Sequence, residues 1–123
     1  MQFEIKTIKH VQAELAAFCR FLTEQNVSQS GVFDCRLVAS ELVGNVFKHG
    51  SGGAILQVVR NGGCVELTVR SQNPFVPQNA PSCPSVWEEH GRGLFLVNSV
   101  CEKWCEVDGG VKVRILVSDA TEK

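Results

Sequence analysis

Neither sign of charge dominates this 123-residue chain, in which 12 Lys and Arg stand against 13 Asp and Glu for a formal net charge of −1. So balanced a surface lacks the clustered basic charge that duplex nucleic acid or an anionic membrane attracts, and neither is expected as a direct partner. Long apolar runs are missing too. No stretch approaches the roughly 18 residues that a spanning helix needs, and the opening MQFEIKTIKH alternates instead of building a signal core, so a cytoplasmic protein is expected. The six cysteines (Cys19, Cys35, Cys64, Cys83, Cys101 and Cys105) include no C-x-x-C pair. Cys101 and Cys105 have neither a second pair nor a nearby His, which argues against zinc. A chain of this size buries about two thirds of its unfolded surface without staples, so the thiols are expected to be reduced and packed as small apolar side chains. Proline occurs only at Pro74, Pro77, Pro81 and Pro84.

What is present divides by period. Residues 2–8 alternate as a strand does, with Phe3 and Ile5 against Glu4 and Lys6. Val11, Leu15, Phe18, Cys19 and Leu22 then recur at helical spacing up to the polar residues 24–26. Ser28 or Ser30 can cap a second helix, whose apolar positions Phe33, Leu37, Val38, Leu42, Val43, Val46 and Phe47 carry it to His49 and Gly50. Residues 50–53 are expected to be loop. Strand-like runs at 54–60 and 64–70 flank Asn61-Gly62-Gly63, where Asn and Gly are expected to supply the positive φ of a tight hairpin. Residues 71–90 hold all the prolines and no period, and read as one irregular segment. A short apolar helix at 94–100 and strands at 103–107 and 111–117 complete one domain over 1–123. This order predicts an α+β fold, a two-layer sandwich with helices on one face of a mostly antiparallel sheet.

Two places carry candidate chemistry. Glu41, Asn45 and His49 stand at i, i+4 and i+8, drifting only about 40° per step around an ideal helix, so they share one stripe. A carboxylate can orient water or accept a proton, an amide oxygen suits magnesium, and an imidazole can meet a phosphate. The same spacing also suits a plain solvated helix face. In His90-Gly91-Arg92-Gly93-Leu94, two glycines open an apolar helix and bare its backbone amides to an anion, although an ordinary loop-to-helix turn has the same look. The long segment before it serves either as a lid or as a simple connection.

Together, E-L-V-G-N-V-F-K-H-G at 41–50 and G-R-G-L-F-L-V at 91–97 resemble the N box and second glycine box of the GHKL ATPase superfamily. In size and order the chain looks most like the stand-alone anti-sigma-factor serine kinases, over practically its whole length. The resemblance implies a histidine-kinase-like ATPase fold that binds ATP and Mg2+. In that reading Glu41 is the general base toward the hydroxyl of a protein substrate, and Asn45 is the magnesium ligand. His49, Gly91, Arg92, Gly93 and Leu94 lie around the phosphates. The implied partners are a sigma factor and a STAS-type anti-anti-sigma protein, and the implied assembly is a homodimer.

The chain also departs from that pattern. Where the family carries an Asp-x-Gly-x-Gly box for the adenine, residues 71–75 read Ser71-Gln72-Asn73-Pro74-Phe75, and the Thr expected in the last hairpin is Val111. Ser71 and Asn73 are the remaining polar candidates on the adenine side. Losing a charged acceptor forfeits roughly 1.5–3 kcal/mol of binding. Two functions therefore stay open: a kinase that phosphorylates a STAS-type protein, or a degenerate regulatory domain that binds a sigma factor or STAS-like partner without ATP turnover.

Overall fold

The computed structural model of the chain describes residues 1–49, 51–73, 103–107 and 110–120. Strand β1 (Gln2–Ile5) leads through a 3₁₀ turn (Ile8–His10) into helices α1 (Val11–Glu24) and α2 (Gln29–His49). Strands β2 (Ser51–Asn61), β3 (Cys64–Asn73), β4 (Lys103–Val107) and β5 (Gly110–Leu116) complete a five-stranded sheet of order β1-β2-β3-β5-β4, with every pairing antiparallel. The expected α+β sandwich of two layers is what these elements form. The expected helix at 94–100 and most of the proline-bearing segment lie outside the described residues.

Local chemistry explains the boundaries. α1 ends in a Schellman arrangement: Asn26 takes φ 65°, Val27 N–H donates to Leu22 O at 3.1 Å and Asn26 N–H to Thr23 O at 3.0 Å. Of the two candidate caps, Ser28 serves α2, its Oγ accepting Gly31 N–H at 3.1 Å. The β2–β3 hairpin turns on Gly62 and Gly63, with Asn61 still paired to Cys64. Only Gly62 (φ 63°) supplies a positive φ, so the expectation for Asn61 is corrected: it belongs to the strand.

Two further boundaries differ from expectation. The first strand stops at Ile5, and Ile8 stands 69% exposed in the 3₁₀ turn. Residues 51–53, expected as loop, are the start of β2, with a bulge between Ser51 and Ala54 at which Gly52 takes φ 82°. Gly53 lies so close to β1 that a Cβ there would stand 2.3 Å from Ile5 O. Glycine at this place lets the backbones of β1 and β2 meet, a function that loop composition and strand composition share.

Alternate strand residues face the helices. The register aligns Phe3, Leu56, Val69 and Val111 in one inward row, Val58, Leu67 and Val113 in the next, and Val65 and Ile115 in a third that Arg60 completes. All but Arg60 are buried against Leu15, Phe18, Leu22, Val38, Leu42, Val43 and Val46 from the helices. Phe18 meets Phe3 edge-on at 6.2 Å between ring centroids. Phe33, expected on the apolar face of α2, is instead 66% exposed, and Leu37 and Phe47 are half-buried. On the open face of the sheet, Glu66 pairs across strands with Lys112 (3.6 Å) and Arg114 (3.3 Å), exposed contacts of small energetic weight. Among the described residues no helix is long and apolar enough to cross a membrane.

Candidate functional site

α2 places the candidate stripe against the sheet. Its buried residues Cys35, Val38, Ala39, Leu42, Val43 and Val46 follow the i, i+3, i+4 rhythm of one helical face. Asn45 falls within that rhythm, seven residues after Val38 and three after Leu42. It is 8% exposed, the one polar residue among the described residues to be buried. The stripe is therefore no plain solvated face. Glu41, a turn earlier, is half-buried, and Lys48 and Gly44 are exposed.

Among the described residues no hydrogen bond or ion pair engages the Asn45 amide or the Glu41 carboxylate. Nor is any side-chain nitrogen or oxygen there both sealed from solvent and without a partner, so the Asn45 amide keeps a narrow opening to water. Water reaching that opening can satisfy the amide, and a ligand entering there would take the place of water. The amide oxygen is a hard donor suited to a divalent cation, and the carboxylate one turn away can accept a proton from a hydroxyl brought to it.

His49 is the last residue of α2, and its side chain lies outside the described residues. Ser71 belongs to β3 and not to a loop; it pairs with Ala54 and continues the inward register of Val65, Leu67 and Val69, half-buried. Asn73 ends β3 paired with Ser51, which stands two residues past the end of α2, and its side chain lies outside the described residues. Glu41, Asn45 and Ser71 are thus brought to the helix-facing side of the sheet, toward the end where α2 turns into β2. Gly91, Arg92, Gly93 and Leu94 lie outside the described residues.

Among the described residues Cys19, Cys35 and Cys64 are thiols that form no disulfide, Cys35 buried and the other two half-buried. Burial pushes the Cys19 thiol up, an effect that the nearby Arg36 partly offsets, so it is a poor nucleophile. Among the described residues no three His, Cys, Asp or Glu side chains gather as a metal site. An amide such as Asn45 belongs to a different, oxygen-donor chemistry.

Sequence reasoning missed Arg60 and Gly31. Both act through contacts with residues far along the chain, at the opposite end of α2. Compared with known proteins, the chain matches no family model and no curated protein.

Proposed function

We propose that the chain is an anti-sigma regulatory factor and serine-protein kinase of the GHKL type, binding Mg-ATP beneath the C-terminal half of α2 and phosphorylating a STAS-type protein. The observation that carries this reading is the Asn45 amide, buried and without a protein partner among the described residues, one turn from a half-buried Glu41. Bound Mg-ATP would supply the transferable phosphoryl group. Asn45 would hold the cation through its amide oxygen, and the backbone amides of Gly91 and Gly93, with Arg92, would face the phosphates. Glu41 would take the proton of the substrate serine as its oxygen attacks.

A second reading rests on Ser71. The family's adenine-binding carboxylate has no counterpart in 71–73, and Ser71 is built into the β2–β3 ladder. In this reading the domain binds a sigma factor or STAS-like partner without turnover. Titration of the intact protein with a non-hydrolysable ATP analogue, with and without magnesium, separates the two. Magnesium-dependent binding in the micromolar range supports the kinase, whereas absence of heat and of any thermal shift at millimolar analogue overturns it in favour of the second reading.

A further inference from the structure

At the end of α2 away from Asn45, the chain after β5 runs back beneath the α1–α2 corner. Val117 N–H donates to Gly63 O at 2.9 Å, Ser28 N–H to Ser118 O at 2.9 Å and Ala120 N–H to Asn26 O at 2.8 Å. Val27 and Asp119 form an antiparallel bridge. Val117 also lies against the first turn of α2, where a Cβ on Gly31 would stand 3.1 Å from Val117 Cγ1 and 2.7 Å from Val27 Cγ1. Gly31 leaves the room in which this valine sits.

Arg60 joins the three parts. Its Nε donates to Gly62 O (3.0 Å), Nη1 to Gln25 O (2.6 Å) and Nη2 to Asp119 Oδ1 (2.5 Å), with 14% of its side chain exposed. A cleft of about 480 Å3 opens here, lined by Gln25, Arg60, Gly62, Gly63, Val117 and Asp119. As an anion site it is poor. An incoming carboxylate or phosphate would meet two carbonyl oxygens and an aspartate already arranged around the guanidinium. As a latch it is well formed, because the Asp119 side chain is 69% exposed and is the one of the three acceptors that can let go without moving a main-chain carbonyl.

We propose that residues 117–120 form a releasable strap, latched by Asp119 on Arg60, that clamps the α1–α2 corner to the β2–β3 hairpin and opens independently of the rest of the fold. The β3–β5 ladder ends at Cys64 and Leu116, so the strap begins where sheet pairing stops. Opening frees Ser28 N–H but leaves the Ser28 Oγ cap on Gly31 in place, so α2 stays helical while its tether is released. The latch is an exposed ion pair, which salt screens.

Amide hydrogen exchange on the intact chain tests the strap. In Asp119→Asn the amides of Ser28, Val117 and Ala120 exchange about two- to five-fold faster, the ratio expected for loss of an exposed ion pair, while those of Leu67 and Val113 keep their rates. Roughly 1 M NaCl reproduces the acceleration in the parent protein and adds little in the variant. Gly31→Ala, which displaces Val117, accelerates the same three amides with the latch residues intact. Unchanged rates at those amides in Asp119→Asn, or an acceleration spread evenly through α2 and β3, would overturn the proposal.

Discussion

Near the start of α2 a guanidinium with 14% of its side chain exposed donates to three named oxygens, whereas toward its end an amide in a residue 8% exposed engages no partner among the described residues. Both groups sit at the same helix–sheet interface, and Asn45 stands about 24 Å along the axis of α2 from its first residue, Gln29. The difference separates two purposes for a polar group drawn in from solvent. Arg60 is satisfied within the protein, and its removal strands the groups that depend on it. Asn45 is satisfied by nothing described, and its removal strands nothing. The first pattern is that of architecture, and the second is what the proposed cation site calls for.

The largest expected effect tests the ligand side of this contrast. If Glu41 is the proton acceptor, Glu41→Gln lowers phosphotransfer to a STAS-type substrate by about 10²–10⁴-fold while nucleotide affinity is largely kept. Equal loss of both in a kinase assay and a titration would remove Glu41 from that role. Asn45→Leu is next. Magnesium-dependent binding of the analogue disappears, yet the thermal midpoint holds or rises, since an amide without a partner gives up no hydrogen bond. A sharp drop in the midpoint would place Asn45 with Arg60 as architecture.

The architectural side predicts the reverse. Arg60→Met removes a donor from Gln25 O, Gly62 O and Asp119 and is expected to lower unfolding free energy by about 1–3 kcal/mol in urea, with no change in the titration. Two glycines of α2 sharpen the contrast further. Gly31→Ala overpacks against Val27 and Val117 and is expected to destabilise by about 1–3 kcal/mol. Gly44 has open space where its Cβ would go, so Gly44→Ala is expected to stabilise by about 0.5–1 kcal/mol. Equal effects at the two positions would mean that Val117 is not seated on α2.

Period and turn chemistry made both described helices, the β2–β3 hairpin and the last two strands readable, because each depends on neighbours within a few residues. The Asn45 stripe was half readable. The spacing of Glu41, Asn45 and His49 put them on one side, but the seven-residue step from Val38 to Asn45, which points that side at the core, was outweighed by the ordinary preference of Asn and Glu for solvent. Residues 51–53 and 71–73 misled for a related reason. Gly52, Gly53, Ser71 and Asn73 have loop composition, and their pairing as strand ends depends on β1 and β2 coming alongside.

By itself, then, the sequence determined the element types, the α+β layering and the presence of a carboxylate and an amide one helical turn apart, all consequences of short-range periodicity. Only the tertiary structure decided that the amide is buried and that Arg60 joins Gln25, Gly62 and Asp119. Arg60 and Asp119 stand 59 residues apart along the chain. Such contacts follow from the register of the antiparallel sheet, which no local pattern encodes.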